Sequence, residues 1–459
     1  MGQQLVVVGG GPGGMAAALS AYENGVRDIT ILEREHRLGG ILNQCIHDGF
    51  GLVQFGSMIS GPEYAARYAR MLAETSVNVE TDTMVTDIAP DKTVTASGRR
   101  GIRQYRPGAI VLATGCRERT RGAIAIPGTR PAGVFTAGVV QNLVNCRNIR
   151  VGNRAVILGS GDIGLIMARR LTYEGAKVLA VIELQAEPGG LQRNVSQCLY
   201  DLGIPLYTRH TVTEIRGKER VESIVMSAVD DCGKPIAGTE REIACDTLVL
   251  SVGLIPENEL AQKAGLRLGQ RTNGVLADEY LQTNIAGVFA CGNAKAVMDL
   301  VDYVSQEGML AGKNAARFLR GEPMEKRARS YANPMAKGLP KEGSTTCILC
   351  PNGCQLEWKD GGITGNRCPR GAEFGRQERE APERSVTTVV LTEDGTLLPV
   401  RTDKPVPKDM VFEVIDFCRR QAVAVAHPLN GIVFENVLNT GVNVIACADL
   451  IVCRDNYDG

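Results

Sequence analysis

Residues 4 to 33 read QLVVVGGGPGGMAAALSAYENGVRDITILE: an apolar run, Gly9-x-Gly11-x-x-Gly14, an Ala-rich stretch, a second apolar run, and Glu33 at its end. That order constrains the fold more than any other feature of the chain. Two apolar runs separated by an Ala-rich helical stretch form a parallel pair with a helix crossing over between them. Each glycine has a job in such a turn. Gly9 allows the tight bend, Gly11 lets a pyrophosphate approach the backbone, and Gly14 lets helix and strand pack closely. The helix N-terminus holds the phosphates, and Glu33 stands where an acid accepts the hydroxyls of an adenosine ribose.

The pattern returns at residues 153 to 183, NRAVILGSGDIGLIMARRLTYEGAKVLAVIE, with Gly159-x-Gly161-x-x-Gly164 and a closing Glu183. An acid at this place favours a free 2′-hydroxyl over a 2′-phosphate, so NAD(H) is expected ahead of NADP(H). A site that holds an adenine nucleotide only structurally is the alternative. Two such units give an α/β class: two Rossmann-like domains, with the remainder of the chain to place.

Composition narrows the partners. The 459 residues are 44% hydrophobic and 22% charged, with 51 Lys plus Arg against 51 Asp plus Glu. A balanced chain has no positive field to draw it to nucleic acid or anionic lipid, so small molecules or proteins are expected. MGQQLVVVGGGPGG has neither a basic region nor a cleavage site, and no apolar run approaches about 18 residues. A cytoplasmic protein without a membrane span is expected. Val6 stands where a myristoylation signal wants Ser or Thr.

With these motifs on the page, the chain resembles the two-dinucleotide-binding-domain flavoproteins, the FAD and NAD(P)-dependent oxidoreductases of the thioredoxin-reductase and disulfide-reductase type. Further stretches carry the resemblance across residues 3 to 322: LGG at 38 to 40, AIVLATG at 109 to 115, LVLSVGLIPEN at 248 to 258 and TNIAGVFACGN at 283 to 293. It implies FAD contacts at Gly39, Gly40, Thr114, Gly115, Gly292 and Asn293, and an NAD contact at Gly253. Asn293 departs from the family's Asp, which keeps hydrogen bonding but removes a negative charge near the flavin phosphates. The following helix would aim its positive end at the flavin ring, with Asp299 and Asp302 read as first-turn acids. The implied domains are 1–115 with 270–322 for FAD and 116–269 for NAD(P).

The resemblance also exposes a gap. Disulfide reductases pass electrons to a dithiol, yet around GGILNQCIHDG only Cys45 is present, and no CxxC precedes residue 347. Cys45 is a weak candidate for single-thiol chemistry, and His47 for a proton shuttle. CRERTRGAIAIPGTRPAGVFTAG at 116 to 138 is similar to a segment of amino-acid and glycerol-phosphate oxidoreductase subunits; Arg117, Arg119 and Arg121 in it are either a hold for an anion or a partner's surface or an ordinary solvated basic loop.

Another exit for electrons lies in the tail. After a polar stretch at 323–344 that reads as a linker, residues 345–459 contain Cys347-x2-Cys350-x3-Cys354 and, 14 positions later, Cys368-Pro369. Four thiolates on two loops suit a [4Fe-4S] cluster or zinc. The single CxxC followed by a distant Cys-Pro favours the cluster over paired zinc knuckles, and glycines at 353, 361, 362 and 365 leave N–H groups free for its sulfides. Cys418, Cys447 and Cys453 read as structural. Downstream, a hairpin turning at Glu393-Asp394-Gly395 and a helix from about Lys408 predict a small α+β domain. CPNGC, NRCPRG, LPVRTDKPVPK and ENVLNTGVNVIA resemble a small cysteine-rich domain of unknown function found beside anaerobic-type glycerol-3-phosphate dehydrogenases.

The expected activity is exchange of electrons between NAD(H), FAD and a [4Fe-4S] cluster. The resemblance implies a hetero-oligomer with a glycerol-3-phosphate dehydrogenase-like flavoprotein subunit. Two alternatives stay open: an NADH oxidase or peroxidase using Cys45 with a structural zinc tail, and a non-enzymatic scaffold or nucleotide sensor.

Overall fold

The computed structural model describes residues 4–327, 335–359 and 361–449. The chain forms two compact units, Met1–Arg117 with Leu254–Tyr331, and Glu118–Gly253 with Ala332–Gly459. The second crossing therefore falls at Gly253, whereas the sequence motifs place the return to the flavin unit at 270. The tail groups with the second unit.

In the first unit, five parallel strands stand in the order Val288–Ala290, Ala109–Leu112, Leu5–Val8, Ile29–Leu32, Asn78–Glu80. The first four are buried along their whole length, as parallel strands covered on both faces must be. Helix Pro12–Glu23 crosses between Leu5–Val8 and Ile29–Leu32, and the late helix Val301–Arg320 lies along it. Small residues allow that approach: a Cβ on Gly308 would stand 2.2 Å from the Gly13 carbonyl oxygen, and one on Gly312 2.0 Å from that of Ala17. A three-stranded meander, Met84–Ile88, Val94–Gly98 and Gly101–Tyr105, completes the unit.

The second unit repeats the plan. Its parallel sheet runs Val134–Thr136, Thr247–Leu250, Arg154–Leu158, Lys177–Ile182, Leu206–Tyr207, with helix Asp162–Tyr173 as the crossover. Its meander is His210–Arg216, Ser223–Ala228 and Arg241–Ala244. The tail adds a mixed sheet in the order Ala422–Val423, Thr387–Thr392, Leu397–Thr402, Val444–Ala446, Ile432–Phe434, covered by helix Val411–Arg420. The hairpin turns at Glu393-Asp394-Gly395 as the sequence predicts, and a short 3-10 turn, Lys408–Met410, opens the helix. Cys418 and Cys447 are buried in this part of the chain, whereas Cys453 lies outside the described residues.

The stretch read as a linker is tied down where it is described. The Glu325 N–H donates to Asn314 Oδ1 at 2.8 Å, and Arg327 reaches Glu307. Within the second unit, the Gln192 N–H donates to the Ala336 carbonyl at 2.9 Å and Leu191 bridges to Lys337. Among the described residues no helix is long and apolar enough to cross a membrane.

Candidate functional site

Both glycine turns have a geometry that makes room for something outside the protein. Gly9 has a left-handed φ of +102°, and a Cβ there would meet the Ala113 carbonyl oxygen at 2.5 Å. On Gly14 a Cβ would stand 1.8 Å from the Gly9 oxygen, so these two glycines are demanded by the fold itself. Gly11 differs, because a Cβ there meets nothing within 4 Å. It is the N-cap of helix Pro12–Glu23 and supplies no side-chain cap, leaving backbone donors for an anion. Gly115 likewise faces open space, while Gly40 lies against Gly11 and the Gly39 N–H donates to the Gly10 carbonyl at 2.9 Å. Thr114 Oγ1 donates to the Glu257 carbonyl at 2.9 Å, fixing the strand end beside Gly115.

Glu33 is 5% exposed. Its Oε2 accepts the Gly10 N–H at 2.6 Å and its Oε1 the Glu35 N–H at 2.8 Å. The second turn copies this. Gly159 has a φ of +99°, with a Cβ position 2.1 Å from the Ser251 carbonyl oxygen, and a Cβ on Gly164 would stand 2.6 Å from the Gly159 oxygen. The nearest neighbour to a Cβ on Gly161 is Ser251 Oγ at 3.7 Å. Glu183 accepts the Ser160 N–H at 2.9 Å, the Ser160 hydroxyl, and the Gln185 N–H at 2.8 Å. Gly253 sits at the second crossing, its carbonyl accepting the Arg119 N–H at 3.0 Å. The open middle glycines, the uncapped helix ends and the oriented acids fit two dinucleotides.

The comparisons with known proteins agree. Residues 3–308 match the pyridine nucleotide-disulphide oxidoreductase family. The chain belongs to that family. Residues 369–448 match a second family described as a protein of unknown function (DUF1667). Hydrogen cyanide synthase subunit HcnB of Pseudomonas protegens is 25% identical over 79% of this chain and 81% of its own. Thioredoxin reductase of Treponema pallidum is 24% identical over 69% of this chain and 96% of its own. The crystal structure of Lactococcus lactis thioredoxin reductase superposes with a TM-score of 0.58 at 21% identity, covering 70% of this chain and 99% of that one. This oxidoreductase therefore uses FAD and NAD(P), expected at the turns Gly9 to Glu33 (the FAD side) and Gly159 to Glu183 (the NAD(P) side) respectively.

Around the FAD side, other residues take parts that the sequence did not announce. Asn293 Nδ2 donates to Cys116 Sγ at 3.4 Å and its Oδ1 accepts the Met298 N–H at 3.0 Å, so both ends of the amide are in use. Asp302 is more than a first-turn acid. It is buried and accepts the N–H groups of Gly51 at 3.2 Å and Gln54 at 3.0 Å, holding that loop to the late helix. Burial pushes its carboxyl above the ordinary range against those two donors. Cys45 is buried and its carbonyl accepts the Gly61 N–H at 2.9 Å, while the His47 ring lies 5.0 Å from Phe50. Ile41 and Leu42, in the region where the resemblance would put a second cysteine, are exposed and buried respectively.

Two of the three arginines at 117 to 121 are spent inside the protein. Arg117 pairs with Glu257 and Glu259, each at 2.6 Å, and Arg121 donates to the carbonyls of Ile126, Pro127 and Gly128.

In the tail, Cys347 and Cys354 form a small buried nucleus with Leu356, flanked by Leu349, Ile363 and Phe374. Burial pushes the Cys347 thiol up to about 11, and the neighbouring Cys350, Cys354 and Cys368 add in the same sense, so the four stand within electrostatic reach of one another. The Cys347 N–H donates to the Cys354 carbonyl at 2.8 Å. Cys368 caps helix Pro369–Glu380, where the Gly371 N–H holds its thiol below the ordinary range. Among the described residues no three Cys, His, Asp or Glu close to metal-holding geometry. As a donor set, four gathered thiols suit a thiophilic centre.

This thiol loop is fastened to the rest of the second unit. Gln355 Nε2 donates to Gln192 Oε1 at 2.9 Å, to the Gly353 carbonyl at 3.0 Å and to Thr346 Oγ1 at 3.1 Å. Farther along, Arg384 chelates Asp201 at 2.7 and 3.1 Å and Glu378 at 2.6 and 2.7 Å, and Lys408 reaches Asp201 at 2.6 Å. Sequence reasoning missed this clamp because Asp201, Glu378, Arg384 and Lys408 look like ordinary surface charges until the chain folds them together.

Proposed function

We propose that this oxidoreductase moves electrons between NAD(H) and a [4Fe-4S] cluster held by Cys347, Cys350, Cys354 and Cys368, as one component of a heteromeric dehydrogenase. Bound FAD takes up electrons in pairs and releases them singly, which suits a junction of this kind. The observation that carries the reading is the placement of thiols. In the stretch GGILNQCIHDG the sequence has Cys45 but no second cysteine, while the tail buries Cys347 and Cys354 together with Cys350 and Cys368 within electrostatic reach. Glu33 and Glu183 orient the two dinucleotides, and the Gln192–Gln355 contact holds the thiol loop on the nicotinamide-side domain.

Two relatives support a role within a larger complex. One is the hydrogen cyanide synthase component, and the other is an opine oxidase component of Agrobacterium tumefaciens, 26% identical over 64% of this chain and 61% of its own. A glycerol-3-phosphate dehydrogenase-like protein, which would oxidise the organic substrate, is the partner that the tail's resemblance suggests.

A second reading has Cys45 as the reactive thiol and zinc in the tail. It is favoured by the similarity to a protein named NAD(P)H sulfur oxidoreductase (CoA-dependent) of Pyrococcus abyssi, 26% identical over 63% of this chain and 62% of its own. Anaerobic purification, metal analysis, and optical and EPR spectra before and after NADH separate the two. The cluster reading expects iron and an EPR signal that appears on reduction. A flavin-only spectrum with stoichiometric zinc, and loss of NADH oxidation in Cys45→Ser, would establish the second reading instead.

A further inference from the structure

The late helix Val301–Arg320 buries Glu307 completely. Its Oε2 accepts the Gly292 N–H at 3.1 Å, and its Oε1 receives Lys295 Nζ at 3.1 Å and Arg327 Nη1 at 2.7 Å. A buried carboxylate is tolerated only when its charge and lone pairs are met, and two of the three groups that meet them here come from the loop after strand Val288–Ala290. That loop borders the FAD phosphate turn. A Cβ on Gly13 would stand 3.4 Å from Cys291 Sγ and 3.3 Å from Val304 Cγ1, and one on Gly292 2.8 Å from the same Val304 atom.

Anchoring the helix does not require this triad. Gly308 and Gly312 already lock it against helix Pro12–Glu23, and Asn314 ties it to the carbonyls of Tyr280 and Glu325 at 2.8 Å each. What Glu307 alone provides is the grip on the Gly292 N–H and the recruitment of two cations. Two cations, Lys295 and Arg327, thus converge on this one carboxylate at the base of the loop, and Asn293 adds no charge there.

We propose that Glu307, with Lys295 and Arg327, is a positioning group for the flavin: it fixes the Gly292–Asn293 loop beside the phosphate turn and sets the local charge that tunes the flavin's midpoint potential. The inference rests on FAD binding at the first turn and is independent of what the tail thiols hold. A positive charge near the flavin favours its reduced, more anionic form and so raises the potential, and a negative charge lowers it.

The test uses the full-length holoenzyme and the variants Glu307→Gln, Lys295→Met and Lys295→Arg. Each is read by flavin midpoint potential against indicator dyes, by FAD dissociation from the fluorescence of released flavin, and by thermal melting. Removing the carboxylate should raise the potential and weaken FAD retention, removing the ammonium should lower the potential, and Lys295→Arg should restore it. A merely structural triad would change the melt without moving the two potentials in opposite senses. The proposal is overturned if both potentials stay put or shift in the same direction. Should Glu307→Gln fail to fold, the lysine pair decides, and an unchanged potential in Lys295→Met overturns it.

Discussion

The FAD-side turn and the NAD-side turn use the same three glycines and the same acid, yet the chain closes around them differently. At the first, backbone meets backbone: Cβ positions on Gly9 and Gly14 run into the carbonyl oxygens of Ala113 and Gly9. At the second, backbone also meets backbone, with the Cβ position on Gly159 2.1 Å from the Ser251 carbonyl oxygen and that on Gly164 2.6 Å from the Gly159 oxygen, and side chains fill part of the seam as well. Ser251 Cβ and Oγ lie beside Gly164, and Ser160 Oγ donates to Glu183 while accepting the Gly189 N–H at 3.1 Å. Side chains can shift and backbone carbonyls in a buried sheet cannot. The helix–strand seam at Gly14, whose Cβ position lies 1.8 Å from a backbone oxygen against 2.6 Å at Gly164, should thus be the less tolerant of the two.

The largest effect should come from Gly14→Ala. With 1.8 Å to a backbone oxygen, the clash cannot relax locally, and a loss above about 3 kcal/mol is expected, at the upper end of overpacking costs. Thermal melting and flavin content would read it. Gly164→Ala, at 2.6 Å, should cost about 1 to 2 kcal/mol, keep FAD and slow reduction by NADH. Equal damage at both turns would break the comparison.

Close in size to the Gly14 effect is the clamp that joins the tail to the rest of the second unit. Asp201→Asn leaves the buried Arg384 short of a partner and should cost about 3 kcal/mol in the melt of the second unit. Its pH dependence has a definite sign. Burial would raise the Asp201 carboxyl, but Arg384 and Lys408 hold it below the ordinary range. A depressed folded value gives stability that is complete above the unfolded carboxyl value of about 3.9 and is lost as the pH falls through the folded value. Wild type should therefore lose this contribution only in strongly acidic solution, while Asp201→Asn lacks it at every pH.

The smallest stability effects mark the open glycines. Gly11→Ala adds a methyl with no protein atom within 4 Å, and Gly161→Ala one whose nearest neighbour stands at 3.7 Å, so each should change stability by less than about 0.5 kcal/mol. Each should still weaken its own cofactor, FAD for the first and NAD(H) for the second, in fluorescence titrations. Unchanged affinity would mean that the open space is not where the pyrophosphates lie.

Local pattern makes much of this legible in the sequence. Gly9, Gly11, Gly14 and Glu33, and their counterparts at 159 to 183, announce themselves because each function is tied to spacing along one short stretch. The same holds for the hairpin at 393 to 395. Contacts between distant segments are not legible. Asp302 reads as an ordinary first-turn acid until Gly51 and Gln54 arrive from 248 to 251 residues away. Glu307 sits in a helix whose periodicity says only that one face is buried, and nothing local says that Lys295, Arg327 and Gly292 converge on it. The boundary at Gly253 is hidden because the segment after it lacks a composition change. Residues 323–344 look like a linker because their ties to Asn314 and Gln192 depend on the folded neighbours.

The proposed electron exit through the tail is tested most directly by an anaerobic reductive titration of wild type beside Cys350→Ser, followed optically and by EPR. The account predicts that wild type consumes more reductant than its flavin alone accepts, with an iron signal growing alongside flavin bleaching. Cys350→Ser should bind FAD normally and stop at the flavin end-point. Identical end-points for the two proteins, with no iron signal in either, would contradict it.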